Sequence, residues 1–186
     1  MSYEQIRFTA VEEIRSVISQ VDAGEVGRLA AAIRAAGGVF VAGAGRSGLA
    51  MRGFAMRLMH MRIPAYVVGD AATPALAPGE ILVVGSGSGS TSSLVAVAEQ
   101  ARKRGGAVAL LTIDPGSPLG KIAGTVVRIP APSPKAAAGS GLHSVQPMAT
   151  LFEQALGIVL DSCVLLLMEE TGISEQKMFE RHANLE

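Results

Sequence analysis

Four hydroxyls stand in the six residues Ser86-Gly87-Ser88-Gly89-Ser90-Thr91. Hydroxyls donate hydrogen bonds without adding charge, and glycines let the backbone approach a ligand and turn its amides inward. The stretch follows the apolar run Ile81-Leu82-Val83-Val84 and precedes Leu94-Val95-Ala96-Val97-Ala98, so a strand feeds the loop and a helix leaves it. A helix N-terminus supplies about half a positive charge, which makes this an anion-holding arrangement. Alone, the stretch reads equally well as a Ser/Gly turn capping a helix. A second loop of the same kind, Gly43-Ala44-Gly45-Arg46-Ser47-Gly48 after Val39-Phe40-Val41-Ala42, weighs against that. The expected phosphate ligands are Ser47, Ser86, Ser88 and Thr91, with amides from Gly87 through Gly89 and Ser90 to Thr91. Arg46 reads as a phosphate or hydroxyl contact, with a surface cation as the plain alternative.

Proton transfer needs a carboxylate or an imidazole. Glu153, in Leu151-Phe152-Glu153-Gln154-Ala155, opens an apolar helix, where desolvation favours general-base chemistry. A helix-start Glu held by the macrodipole accounts for the same position, and both readings stand. Asp161 lies deeper in that helix and suits a structural hydrogen bond to a neighbouring element. His60, between Met59 and Met61, reads as a packing or capping residue. His143 has no visible partner, and His182 sits in a tail whose default reading is a frayed end. No His, Cys or carboxylate pair has metal-ligand spacing, so no metal is expected, and no Ser-His-acid arrangement is recognisable. The lone Cys163, in an apolar helical stretch, reads as a buried inert thiol and fits a reducing compartment.

These groups need a scaffold. Ala10, Val11, Ile14, Val17, Ile18 and Val21 recur at helical spacing, with Glu12, Glu13 and Arg15 on the other side. That predicts a helix over 3–21, and Val26, Leu29, Ala30 and Ile33 a second one ending at Gly37-Gly38. Short apolar runs at 39–42, 66–68, 81–84, 107–111 and 126–129 read as strands covered on both faces. Helices follow at 54–59 and 94–104, Pro115 and Pro118 shape a connection, and 130–145 reads as a mobile loop. A long helix over 146–170 and a shorter one over 175–181 finish the chain. Alternating strands and helices predict an α/β chain with right-handed crossovers, a single domain over residues 1–186. Five strands suit the flavodoxin-like order 2-1-3-4-5, whose switch point lies between strands 1 and 3. The two Gly/Ser loops follow those strands and would face each other across one crevice, which points to a phosphorylated small molecule.

Composition narrows the classes further. The 186 residues carry a formal net charge of zero, which gives no nucleic-acid footprint and no attraction to an anionic membrane. The opening residues lack the basic region and apolar stretch of a secretion signal. The strongly apolar segment 155–168 contains Asp161 and falls short of the ~20 residues that span a bilayer. A soluble, cytoplasmic protein is expected. Gly43, Gly45 and Gly48 also match the G-x-G-x-x-G spacing, and Asp70 after Tyr66-Val67-Val68-Gly69 stands where a ribose-binding acid would, so a nucleotide-binding oxidoreductase stays open as a rival.

The two loops resemble the sugar isomerase (SIS) domain. More narrowly, Phe54-Ala55-Met56-Arg57-Leu58-Met59-His60, Gln146-Pro147-Met148, Leu151-Phe152-Glu153-Gln154 and Arg181-His182-Ala183-Asn184-Leu185-Glu186 resemble the 6-phospho-3-hexuloisomerase family over nearly the whole chain. The resemblance implies a flavodoxin-like three-layer α/β/α sandwich with two N-terminal helices and further C-terminal helices. It implies isomerisation of 3-hexulose 6-phosphate and fructose 6-phosphate in the ribulose monophosphate pathway of formaldehyde fixation, without a metal or cofactor, by a homotetramer. Glu153 falls on the acid/base position. His182 falls on a position that reaches a neighbouring subunit's active site, so the tail would be ordered by assembly. Two residues depart from the family pattern: Ser90 stands where Glu is expected, and Ala149 where Gly is. The rivals are an aldose–ketose isomerase on the same scaffold and a non-catalytic phosphosugar sensor, which ordinarily carries an attached effector module.

Overall fold

A computed structural model describes residues 1–132 and 144–185. His143 and most of the loop expected over 130–145 lie outside the described residues.

Helix α1 (Tyr3–Ile18) starts at Ser2, whose hydroxyl accepts from the Gln5 amide while the Gln5 side chain accepts from the Ser2 amide. Asp22 ends the connection and starts α2 (Ala23–Ala35) by accepting from the Glu25 amide at 2.8 Å. Then follow β1 (Val39–Gly43), α3 (Gly45–His60), β2 (Ala65–Val67), β3 (Ile81–Gly85), α4 (Ser92–Lys103), β4 (Ala107–Thr112), α5 (Pro118–Ile122), β5 (Thr125–Arg128), α6 (Thr150–Thr171) and α7 (Glu175–Phe179). All strand pairs are parallel and the sheet order is β2-β1-β3-β4-β5, as the apolar runs predict. Val39 pairs with Ile81 and Gly43 with Gly85, so the two glycine-ended strands stop side by side at the switch point.

The layers are unequal. Val39 and Val41, with Ile81 and Val83, pack in the cluster of α1, α2, α3 and α6, whereas Phe40, Ala42, Leu82 and Val84 pack in the cluster of α4 and α5, with Tyr66 and Leu76 against it. Helix α5 lies in the stretch that reads from sequence as a connection shaped by Pro115 and Pro118. Its five residues are too few to show periodicity, and it forms because Ser117 caps it and Pro118 pre-sets its first turn.

Helix α6 differs from expectation in length. The 22-residue helix is, by length and composition, long enough to cross a membrane, with a mean hydropathy of 1.8 over its apolar window, half of which is buried within the protein. Its buried face, from Leu151 and Phe152 to Val164 and Leu167, packs on α1, α2 and α3, which makes it the core helix of that layer. Each fully buried Leu or Phe there contributes about 1.5–3 kcal/mol. Gly172, at φ 68°, stops the helix in the left-handed conformation.

Candidate active site

Gly43 and Gly48 bring the exit of β1 against the start of α3. A Cβ on Gly43 would lie 2.9 Å from the Gly48 nitrogen, and one on Gly48 would lie 2.7 Å from the Gly43 carbonyl oxygen. Gly45 turns the chain between them at φ 57°. The dinucleotide-like glycine spacing therefore has a packing cause. Asp70, the acid that reading needed, gives both oxygens to Arg52 of α3, at 2.9 and 2.5 Å.

The second loop is fixed from behind. The Gly87 carbonyl accepts from the Ile113 amide and the Thr112 hydroxyl, each at 3.1 Å, and the Gly89 carbonyl accepts from Leu119 of α5 at 3.0 Å. With these carbonyls committed to β4 and α5, the amides of Gly87, Ser88 and Thr91 donate to no other described residue. The two loops enclose a cavity of about 270 Å³ lined by Ser47, Ser86, Gly87, Ser88, Thr91 and Phe152 among others. Ser47 and Ser86 are 8% and 5% exposed, and their hydroxyls have no hydrogen-bond partner among the described residues. The arrangement offers neutral donors and the N-termini of α3 and α4 to one anion.

Five of the eight expected phosphate residues thus line the cavity; Arg46, Gly89 and Ser90 do not. Gly89, at φ 58°, lies against the Ser117 side chain and shapes the turn. Ser90 is exposed, with its amide on the Ser88 hydroxyl at 3.4 Å. Ala149 lines the cavity as the residue before α6, so of the two departures from the family pattern it is the one in the wall. Arg46 pairs with Glu153, with Nε 2.6 Å from Oε2, and neither side chain is part of the cavity wall. Glu153 stands in the first turn of α6, its side chain 17% exposed, between the cavity-lining Phe152 and the rest of the helix.

His182 is elsewhere. Its ring lies between His60 and Phe179, with centroids 5.9 and 6.0 Å away, and Arg181 donates to the Met59 carbonyl. The tail therefore has contacts within its own chain, where residue type alone reads as a frayed end. Arg46 and His60 are 14 residues apart on α3, which places the His182 cluster about 21 Å from Glu153's partner. His60 is buried, and its pKa is held below the ordinary imidazole value by burial, then by Arg57 and His182. With Arg57, Asp161 and Glu175 these rings line a second cavity of about 400 Å³. Asp161, which reads as suited to a structural hydrogen bond to a neighbouring element, is exposed in that cavity's wall and makes no side-chain hydrogen bond to another described residue. Burial pushes the Cys163 thiol up to about 12, as an inert thiol requires. Among the described residues no cluster of His, Cys, Asp or Glu is arranged to hold a metal ion.

Sequence reasoning missed Glu13, which it placed on a solvated face. Its carboxylate accepts from the Ser144 hydroxyl at 2.6 Å, the Val145 amide at 2.8 Å and the Gln146 side chain at 3.2 Å. It anchors the segment that enters α6 and so carries Ala149, Phe152 and Glu153 into place. Its partners lie more than 130 residues away in sequence, so no local pattern marks it.

The SIS domain family model matches residues 32–156. A Bacillus subtilis 3-hexulose-6-phosphate isomerase is 44% identical over 95% of both chains. The chain belongs to the SIS domain family. A Mycobacterium gastri 3-hexulose-6-phosphate isomerase is 45% identical to this SIS protein over 94% of the chain and 87% of the relative. A Methanococcus jannaschii protein, whose crystal structure is described as inferring a molecular function of 3-hexulose-6-phosphate isomerase, superposes with TM-score 0.82 at 26% identity over 100% of each chain. The resemblance drawn from the motifs is borne out, and the flavodoxin-like three-layer α/β/α fold with it.

Proposed function

We propose that this chain, as one SIS domain, interconverts 3-hexulose 6-phosphate and fructose 6-phosphate. The observation that carries the reading is its likeness, along almost the full length of both chains, to the Bacillus subtilis isomerase. The site supplies what the chemistry needs. The phosphate is held by Ser47, Ser86, Ser88 and Thr91 with the amides of Gly87, Ser88 and Thr91, and this remote binding fixes the reacting carbons. Glu153 removes the proton from carbon 2 of the 3-ketose. The electron pair enters the carbonyl to give a 2,3-enediol, a proton passes from the carbon 2 hydroxyl oxygen to the carbon 3 oxygen, and Glu153 returns its proton to carbon 3.

In this reading His182 of a neighbouring subunit polarises the carbonyl or assists ring opening. The reading takes the assembly as a homotetramer, and two observations favour a second copy that brings His182 there: the 21 Å span along α3 within one chain, and the exposed apolar residues Leu49 and Met56 on α3 and Ile158 and Leu165 on α6. The activity belongs to the ribulose monophosphate pathway of formaldehyde fixation in the cytoplasm. Replacing Glu153 with Gln keeps the volume and removes the base. Turnover of 3-hexulose 6-phosphate in a coupled assay is expected to fall at least 10³-fold, with fructose 6-phosphate binding by calorimetry kept within about threefold. Turnover within tenfold of the parent would remove Glu153 from the mechanism.

A further inference from the structure

We propose that Arg46 is a positioning residue for Glu153 and not a ligand of the phosphate. The inference rests on the isomerase reading and adds a role to that site. Arg46 lies in the first turn of α3 and Glu153 in the first turn of α6, so their 2.6 Å contact ties together the two helix starts that flank the cavity. The neighbours of Arg46 on both sides, Gly45 and Ser47, line the cavity, while Arg46 and Glu153 stand together beside it, next to the lining residues Ser47 and Phe152. Its guanidinium comes from solvent, at 62% exposure, down onto a carboxylate that is 17% exposed. An arginine engaged in this way restrains the carboxylate to one orientation.

The phosphate has no need of it. Hydroxyls of Ser47, Ser86, Ser88 and Thr91, three loop amides with no partner among the described residues and two helix N-termini already converge on the cavity. Each N-terminus brings about half a positive charge, so the dianion is balanced in part without any side-chain cation. Moving Arg46 onto the phosphate would leave a mostly buried carboxylate unpaired, which is the costlier arrangement. The Glu153 oxygen that takes the substrate proton must sit within about 3–3.5 Å of the carbon it serves, and a misplacement near 1 Å costs about 10²-fold in rate. Holding that oxygen is the task the geometry gives to Arg46.

The two roles separate in the kinetics of Arg46→Ala and Arg46→Lys. Positioning predicts that Arg46→Ala lowers kcat about 10²-fold while KM and the inhibition constant for inorganic phosphate stay within about threefold. Arg46→Lys would regain part of kcat, and added guanidinium would rescue Arg46→Ala, because the side chain it replaces is open to solvent. Far-UV dichroism and an unfolding curve report whether each variant is folded. If Arg46→Ala does not fold, the Lys variant carries the same kcat-against-KM comparison. Weakening of phosphate inhibition by tenfold or more with kcat retained would make Arg46 a phosphate ligand and overturn the proposal. An unchanged kcat in both variants, with active wild type, would reduce the contact to a surface ion pair and overturn it too. A wild-type protein without isomerase activity would overturn the isomerase reading itself, and the positioning role with it.

Discussion

Ser47 and Ser86 make no hydrogen bond through their hydroxyls to another described residue while remaining almost fully buried, and both line the cavity. A hydrogen bond to a charged acceptor contributes about 1.5–3 kcal/mol, or roughly 10- to 100-fold in affinity. Ser86→Ala is therefore expected to weaken inorganic phosphate and fructose 6-phosphate by that factor in a calorimetric titration, with thermal stability little changed. Unaltered affinity would mean that the anion sits outside this cavity. These serines were legible because residue type, spacing and the flanking apolar runs all point one way. The pairing of Arg46 with Glu153 was not, since 107 positions separate the two and either residue alone has an ordinary surface explanation.

At the scale of elements, strand order was readable because each apolar run is short and continuous, and those of β1, β3 and β4 lead directly into helices. What escaped were the features that depend on distant partners. Glu13 on α1 shows this: burial works against its ionised form, and the bonds from Ser144, Val145 and Gln146 outweigh that and hold its pKa below the ordinary glutamate value. A carboxylate with a lowered folded pKa stabilises the fold above its unfolded value and loses that contribution as pH falls through the folded one. Glu13→Ala is expected to cost about 2 kcal/mol in urea unfolding at pH 7, with the gap to wild type narrowing below about pH 4.5. An equal gap at pH 7 and pH 3.5 would show that the segment entering α6 is not held by this charge. The short helix α5 escaped for a different reason, since a capping serine and a proline look the same in a turn as in a single helical turn.

Across the described residues, the same sheet carries a thick layer of α1, α2, α3, α6 and α7 on one face and a thinner one of α4 and α5 on the other. The thick layer carries both chemistry-bearing clusters, Arg46 with Glu153 at one end of α3 and His60 with His182 at the other. One protomer separates them by about 21 Å, and the proposed assembly joins them through a second copy. Sequence pattern could not reach that separation, because the position of a C-terminal tail depends on which helix end it docks against. Here Arg181 and the His60 ring fix it.

The central claim is that Glu153 moves a proton between carbons 2 and 3 of a phosphorylated hexulose. Proton NMR of fructose 6-phosphate incubated with the protein in deuterated water tests it most directly. The account predicts loss of the carbon 3 proton signal, appearance of 3-ketose resonances, and no exchange at carbon 1. Exchange at carbon 1 would assign the site to aldose–ketose chemistry, and binding without exchange at any carbon would contradict catalysis altogether.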